Sequence, residues 1–221
     1  MTVRIHPTAL IEEGVSIGEG TAVWDGVHVR GPGTTIGRRC VVGEKTYIAY
    51  GVDIDDLVKI NAFVYIPTMV SIGRGAMISA HVTFTNDRYP RAATPELDDL
   101  RPSEPDDETL ATRVGAGATI GAAAVIGPGI ELGAFCMVGM GSVVTRSVAP
   151  FTLVAGNPAT VLAAVCRCGP PLLRAVDGRL PDAADVACDH CGRRYRIADG
   201  LVHEHAAGGP AAADHRPAQV A

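Results

Sequence analysis

An apolar residue returns at every sixth position through most of this chain. The frame runs from Ile5 to Val29, resumes after one extra residue from Ile36 to Phe84, and returns from Val114 to Val144. Of its 20 positions, 18 are Ile or Val, although only 47% of the chain is hydrophobic. Neither the helical period of 3.6 nor the strand period of 2 produces this spacing. A strict period of six predicts an all-β fold, the parallel β-helix.

Each hexapeptide is expected to form one short strand and one turn, so that three of them make a coil and the whole frame makes about seven coils. The Ile and Val side chains should point into a triangular prism, because β-branched residues are stiff and pack well on pleated surfaces. Small residues suit the corners that follow, and Gly comes directly after many of the apolar positions, as at Gly18, Gly37, Gly43, Gly73, Gly115, Gly121, Gly127, Gly133 and Gly139. The alternative is a different all-β solenoid.

Length and charge add a few limits to this picture. The chain has 221 residues and a formal net charge of −5, which fits one main domain with a small appendage and gives no sign of a nucleic-acid partner. No stretch is apolar enough over a sufficient length to span a membrane. Since the repeat starts at Ile5, we expect no signal peptide and a cytoplasmic location. Residues 206–221, rich in Ala, Pro and His, are expected to be a disordered tail.

The frame is interrupted over residues 87–113. This segment contains four prolines and many acidic residues. Long insertions in a repeat are often functional and gather on one face, so we expect a flap that covers a binding site. The alternative is a tolerated surface insertion.

Cysteines divide into two groups. Cys40 and Cys136 each fall four residues after a frame position and are expected to be small inward fillers. The other four form two close pairs, each followed by Gly, and predict a four-cysteine zinc ribbon with a structural Zn²⁺: Cys166, Cys168, Cys188 and Cys191. Two disulfides or a metal-free tail are the alternatives. The expected domains are therefore a β-helix over 1–160, a zinc-ribbon-like domain over 161–205 and the tail.

Four segments resemble one family. They are IGEGTAVW at 17–24 with His28 after it, VKIN at 58–61, FTNDRYPR at 84–91, and VGMGSVVTR at 138–146 running into VAGNPA at 154–159. These segments resemble the nucleotide-linked 3-amino-sugar N-acetyltransferases, which are hexapeptide proteins with a left-handed β-helix. The segment at 84–91 is the most specific of them. The chain differs from the family pattern at Asp25-Gly26, His81 and Thr160.

The resemblance implies acetyl transfer from acetyl-CoA to the amine, at C-3, of a UDP- or dTDP-linked amino sugar. It also implies a left-handed coil and a homotrimer with sites between adjacent prisms. An amine attacking a thioester needs a neutral nucleophile, a stabilised oxyanion and a sink for one proton. Positioning and oxyanion stabilisation can supply most of this, because the departing CoA thiolate can take the proton itself.

Three residues are candidates for that chemistry. Asn86 ends the last regular rung before the insertion and is our first choice for orienting the substrate, with a turn-capping Asn as the alternative. His81 is a rival general base, and Glu131 is an outward corner carboxylate that can accept a hydrogen bond from the amine. Alternatively, His81 and Glu131 are ordinary surface residues.

Other positions are candidates for binding. Arg88 and Arg91 suit a diphosphate, and Trp24 and Tyr89 offer faces for a base or sugar, while His28 belongs to the family segments. For acetyl-CoA the small corners and the turn after the last coil are the candidates: Gly121, Gly139, Gly141, Asn157 and Pro158. Each glycine is alternatively required only by its corner.

Three rival functions use the same prism. A γ-carbonic-anhydrase-type hydratase needs three His ligands, and His6, His28 and His81 lack any paired spacing. A non-catalytic scaffold is the second rival. The third is an O-acetyltransferase that uses His81 as general base.

Overall fold

Three stacks of two- and three-residue strands form the walls of a prism in the computed structural model of the chain, which describes residues 2–205. The predicted tail at 206–221 lies outside the described residues. The strands of the prism are β1 (Arg4–Ile5), β2 (Leu10–Ile11), β3 (Ser16–Ile17), β4 (Ala22–Val23), β5 (His28–Val29), β6 (Thr35–Ile36), β7 (Val41–Val42), β8 (Tyr47–Ile48), β9 (Asp53–Ile54), β10 (Lys59–Ile60), β11 (Tyr65–Ile66), β12 (Val70–Ile72), β13 (Met77–Ile78), β14 (Thr83–Phe84), β15 (Thr112–Val114), β16 (Thr119–Ile120), β17 (Val125–Ile126), β18 (Glu131–Leu132), β19 (Met137–Val138) and β20 (Val143–Val144).

Every third strand joins the same sheet. Sheet A holds β1, β4, β7, β10, β13, β16 and β19, sheet B runs from β2 to β20, and sheet C from β3 to β18, all in parallel. Frame residues pair with frame residues of the neighbouring coils, as Ile60 does with Val42 on one side and with Ile78 on the other. The predicted parallel β-solenoid is confirmed, and its left-handed sense stays a prediction.

The core is the column of frame residues inside the prism. Ile48, Ile66, Ile78 and Phe84 have no exposed surface, and Cys40 and Cys136 are buried among them as expected. The first coil differs from the prediction: Ile5 is 47% exposed, while Ile11 and Ile17 are only half-buried. The reason is that an inward side chain is covered by the coils on both sides, and the first coil has a neighbour on one side only.

The insertion leaves the prism at the corner between sheets B and C. Strand β14 ends at Phe84 and β15 begins at Thr112, so the irregular segment closes slightly earlier than the predicted limit of 113. Its base is tied by backbone bonds, from Leu110 N to Asn86 O at 2.7 Å and from Arg88 N to Glu108 O at 3.0 Å. The term "loop" below means residues 87–111.

Six further strands complete the chain: β21 (Thr152–Gly156), β22 (Ala159–Val165), β23 (Pro171–Arg174), β24 (Ala183–Ala187), β25 (Arg194–Ala198) and β26 (Leu201–Glu204). Strand β21 adds to sheet A beside β19, and β22 and β23 then continue that sheet in antiparallel order. The predicted domain boundary between 160 and 161 therefore falls inside β22. Strands β24–β26 form a separate antiparallel sheet, and residues 166–205 are called the ribbon below. Within residues 2–205, no helix has the length and hydropathy needed to cross a bilayer.

Candidate functional site

A cleft of about 240 Å³ lies between the loop and the outer face of sheet B. The prism contributes aromatic and basic side chains together with an amide, namely Arg30, Tyr47, Tyr50, Tyr65 and Asn86. The loop contributes the opposite wall, including Tyr89, Arg91, Arg101 and Glu104. The insertion is expected to form a flap over a binding site, and in the structure the loop covers part of the outer face of sheet B.

Aromatic rings form a column on the prism side of the cleft. Tyr47 and Tyr65 stack with their ring centroids 5.4 Å apart and their planes 7° from parallel. The His28 ring meets Tyr47 edge-on, also at 5.4 Å. The three residues face outward because each precedes a buried frame residue, and their strands are adjacent in sheet B. The column presents an aromatic surface against which a flat ring can stack.

Glu12 holds the basic side chains at one end of this column. One of its carboxylate oxygens lies 2.7 Å from Nε2 of His28 and 3.5 Å from Nε of Arg30, and the other accepts from Gly31 N. The hydrogen bond from His28 is the main cause that lowers the pKa of Glu12, with Gly31 N and Arg30 adding to it. Arg30 in turn reaches the Tyr47 hydroxyl at 3.5 Å. Its guanidinium is thus oriented beside the cleft, where it suits an anionic group.

Asn86 sits where the prism meets the loop. It is half-buried, its carbonyl accepts from Leu110 N, and its side-chain Nδ2 donates to Thr68 O at 3.4 Å. The loop base continues beyond it in an antiparallel bridge between Asp87 and Thr109. Asn86 therefore has a structural role at the corner, and it also lines the cleft.

The cleft does not include the other two predicted catalytic residues. His81 lies at the opposite end of β14, at the corner between sheets A and B, where its ring stacks on Phe63 with centroids 5.0 Å apart. Glu131 lies on the outer face of sheet C, next to Arg113 in the register of β15 and β18. Strand β14 thus separates His81 from Asn86, and the two residues lie at different corners of the prism.

Glu131 belongs instead to a second groove. This groove of about 850 Å³ follows the outer face of sheet C and its corner with sheet A. The outward residues of successive strands line it: Thr35, Asp53, Ser71, Arg113 and Glu131, with Ser147 beyond them. It is long and polar on one side, which suits an extended ligand or a neighbouring chain.

The predicted substrate-binding residues are only partly brought together. Tyr89 and Arg91 line the cleft, and the guanidinium of Arg88 lies over the Tyr89 ring at 5.2 Å. Trp24 lies away from the cleft, half-exposed, with Arg4 5.9 Å from its ring centroid.

The predicted cofactor glycines meet different surroundings. A Cβ at Gly121 would lie 2.5 Å from Met140 N, and one at Gly139 would lie 2.7 Å from the Ala155 Cβ, so close packing between coils requires both. Gly141 has open space around it and a φ of 66°. Asn157 and Pro158 form the turn between β21 and β22. Stacking thus explains two of these positions without any ligand.

Four cysteine thiols converge in the ribbon. The Sγ atoms of Cys166, Cys168, Cys188 and Cys191 all lie within 4.8 Å of one another. A backbone hydrogen bond from Arg193 N–H is the main cause that lowers the pKa of Cys191 to about 6, whereas burial raises the pKa of Cys166. All six cysteines are free thiols. Thiolates in this number and proximity are ligands for a soft tetrahedral metal such as Zn²⁺.

Sequence reasoning missed Arg30, Tyr47 and Tyr65 of the cleft, and also Glu12, which lies outside the cleft lining and holds Arg30. The signal was present in the sequence, since His28, Tyr47 and Tyr65 each precede a frame residue of the same sheet. Their spacing of 18 or 19 residues is one coil, which marks residues that stack on one outer face.

Comparisons with known proteins agree with the repeat. Residues 33–67 and 111–146 match the family described as the hexapeptide repeat of succinyl-transferase. Over 93 residues, or 42% of this chain, the sequence is 41% identical to a dTDP-3-amino-3,6-dideoxy-alpha-D-galactopyranose 3-N-acetyltransferase from Aneurinibacillus thermoaerophilus, of which 44% is covered. It is also 27% identical over 160 residues to serine acetyltransferase 4 from Arabidopsis thaliana, covering 72% of this chain and 29% of that protein. The chain thus spans less than half the length of these relatives.

A solved structure shares the fold. It is a variant of AntD, an N-acyltransferase from Bacillus cereus, in complex with dTDP and coenzyme A. The TM-score is 0.50 at 21% identity, over 75% of this chain and 82% of that one. This likeness is one of fold alone.

Proposed function

We propose, from the premise that this chain is a hexapeptide-repeat protein resembling the amino-sugar N-acetyltransferases, that it is an acyltransferase using acetyl-CoA. Its acceptor is the amine of a nucleotide-linked amino sugar. The 41% identity to a dTDP-3-amino-sugar 3-N-acetyltransferase supports this acceptor class and favours C-3 as the acetylated position. UDP and dTDP are the two nucleotides to compare, and a cytoplasmic location stays a prediction.

The observation that carries the proposal is the composition of the cleft. A nucleotide-linked sugar has a flat base, a diphosphate and a polar sugar ring. The stacked Tyr47 and Tyr65 rings suit the base, and the guanidiniums of Arg30, Arg91 and Arg101 suit the diphosphate. Arg101 is partly balanced by Asp106 at 3.2 Å and Arg30 by Glu12 at 3.5 Å, so Arg91 is the main candidate for the phosphates.

The reaction needs little from the protein beyond positioning. The neutral sugar amine attacks the thioester carbonyl carbon, the new C–N bond forms, and the C–S bond then breaks. The proton lost by the amine passes to the departing thiolate and gives free CoA. In this proposal Asn86, which lines the cleft at the junction of prism and loop, accepts a hydrogen bond from the amine through its side-chain oxygen.

A homotrimer is part of this proposal. Asn86 and Glu131 lie on different outer faces of one prism, and the groove on sheet C is open along its length. In a trimer of adjacent prisms, Glu131 of one chain would face the cleft of the next, and the groove would offer room for the pantetheine arm. Sedimentation or light scattering that gives a monomer at assay concentrations would contradict this part of the proposal.

An assay of CoA thiol release tests the activity. We expect acetyl-CoA to be consumed with UDP- or dTDP-linked 3-amino sugars and not with matched sugars that carry a hydroxyl at C-3. The Tyr65→Leu variant should raise KM for the nucleotide sugar by about 5- to 150-fold, since stacking on a base contributes about 1–3 kcal/mol. Phe63→Leu, an exposed aromatic outside the cleft, is the matched control.

The O-acetyltransferase with His81 as base is the second candidate. It is favoured by the exposed imidazole of His81, which makes only a stacking contact with Phe63 among the described side chains. Turnover of the hydroxyl sugars in the same assay would select it. Absence of acetyl-CoA binding by calorimetry would select the non-catalytic scaffold instead.

A further inference from the structure

We propose that the four ribbon cysteines bind one structural Zn²⁺ and that the metal fastens the ribbon over the last coil of the prism. This goes beyond the acetyl transfer and does not depend on it. The first support is the spacing of the thiols. Cys166 Sγ lies 3.4 Å from the Sγ atoms of both Cys168 and Cys191, and Cys168 Sγ lies 3.7 Å from that of Cys188.

Those distances suit a tetrahedral metal site. Four sulfurs at about 2.3 Å from one zinc ion are about 3.8 Å from each other. Cys168 lies at comparable distances from two different cysteines, so the arrangement does not select a pair that would form a disulfide. All four ligand positions are filled by thiols, which leaves no open position for substrate and makes the metal structural.

The backbone around the thiols is built in the same way twice. Cys166 N donates to Pro170 O, and Gly169 N donates back to Cys166 O at 2.8 Å. Cys188 N likewise donates to Arg193 O, and Gly192 N to Cys188 O at 2.8 Å. Each cysteine pair therefore sits on a tight turn closed by a glycine, and the two turns face each other across the cluster.

A second group of contacts joins the cluster to the prism. The Tyr195 side chain is fully buried, and its hydroxyl lies 3.1 Å from Cys166 Sγ while accepting from Arg167 N at 3.0 Å. Its ring meets Phe151 edge-on at 5.5 Å, and Phe151 stacks on Phe135 at 5.4 Å. These two phenylalanines belong to the corner between sheets C and A in the last coils. The Tyr195 side chain therefore connects the ligand Cys166 to the prism.

Apart from the pairing of β23 with β22, the ribbon has a small apolar core. Its buried apolar cluster beyond the prism consists of a few residues, two of which are the ligands Cys166 and Cys188. Domains of about 40 residues or fewer usually need a metal, disulfides or a partner to fold. Strand β22 leads directly into Cys166 and pairs with β21. Zn²⁺ binding is thus expected to stabilise β22 and the hairpin that β22 forms with β21.

The test uses the full chain purified under reducing conditions without chelators. Elemental analysis should find about one zinc per chain. After zinc is removed with a strong chelator, amide hydrogen exchange over residues 159–204 should become at least about tenfold faster, with rungs 36–84 unchanged and re-added Zn²⁺ restoring protection. Zinc well below one equivalent, iron in its place, or unchanged exchange after removal would overturn the proposal.

Two variants keep the test sharp if a cysteine mutant fails to fold. Tyr195→Phe retains all four thiols and should weaken zinc binding about 10- to 100-fold in a chelator competition, because it removes the hydrogen bond to Cys166. Cys136→Ala, a buried prism cysteine outside the cluster, should keep one zinc per chain and serves as the control. Equal zinc affinity of wild type and Tyr195→Phe would contradict a metal site supported by the Tyr195 hydroxyl.

Discussion

At the scale of single residues, the position before each frame residue decides what the prism shows to its surroundings. In sheet B these positions carry His28, Tyr47 and Tyr65, of which the stacked Tyr47 and Tyr65 line the cleft and His28 meets Tyr47 edge-on beside it. The repeat makes such positions predictable once the frame is known. Arg30 and Glu12 are also one coil apart, but the spacing alone does not indicate which polar pairs on the outer face border a ligand site.

Substitutions at two polar residues distinguish the catalytic alternatives. We expect Asn86→Ala to lower kcat/KM more than His81→Asn, because Asn86 borders the cleft and His81 lies at another corner. Steady-state kinetics of both variants with one nucleotide sugar make the comparison. The reverse order would indicate general base catalysis by His81.

The largely buried carboxylate of Asp56 makes the stability of the folded chain depend on pH. Asp56 accepts from Arg38 N at 2.7 Å and lies 3.0 Å from the guanidiniums of both Arg38 and Arg74. These contacts, led by the Arg38 backbone N–H, lower the pKa of Asp56 to about 2. Because the pKa is lowered in the folded state, this stabilisation is complete above the unfolded value of about 3.9 and is lost as the pH falls towards 2.

The corresponding prediction concerns Asp56→Asn. Its thermal midpoint should lie below that of wild type from pH 5 to 7, and the difference should shrink between about pH 4 and 2. Thermal unfolding across this range measures it, with Asp107→Asn in the loop as control. A constant difference at every pH would show that the charge of Asp56 is not the cause.

At the scale of elements, the hexapeptide frame specified almost every strand of the prism. Its failures are instructive: the first coil exposes Ile5 since nothing covers it, and β21–β23 extend sheet A although no frame residue predicts them. The antiparallel extension follows from a hairpin at Asn157–Pro158, and nothing in the spacing indicates which sheet that hairpin joins. Side-chain burial thus depends on neighbours as well as on periodicity.

Substitutions of frame residues should lower the free energy of unfolding in proportion to the burial of the residue. Ile60→Val is expected to lower the free energy of unfolding by about 0.5–1.5 kcal/mol and Ile60→Ala by about 2–5 kcal/mol, because Ile60 is 1% exposed and its removal leaves a cavity. Ile5→Ala, in the first coil, should cost much less. Denaturant unfolding measures all three, and equal costs for Ile5→Ala and Ile60→Ala would contradict the role of stacking.

At the scale of the whole molecule, the proposed function assigns the acceptor to the loop and acetyl-CoA to the prism. The loop starts and ends at neighbouring rungs, and its base is already closed by the Asp87–Thr109 bridge. Replacing residues 88–108 by Gly-Gly should therefore leave the β-helix folded, since a two-residue turn fits a closed antiparallel pair. Circular dichroism should be unchanged apart from the loop, while KM for the nucleotide sugar should rise at least about tenfold, the effect of losing about 1.4 kcal/mol of binding.

The acetyl-CoA side of the reaction provides the control for this deletion. Calorimetric affinity for acetyl-CoA should stay within about twofold of wild type, a change of about 0.4 kcal/mol. Loss of folding on deletion, or unaltered KM for the sugar, would contradict the assignment of the loop to the acceptor.

The corner insertion also has an evolutionary consequence. Since β14 and β15 keep their register on the stacked coils whatever connects them, mutations in the connecting segment carry little risk of unfolding. Under the proposed function, acceptor preference can then change while the scaffold is kept. Exchanging this segment between related enzymes is accordingly a direct route to altered sugar preference in the laboratory.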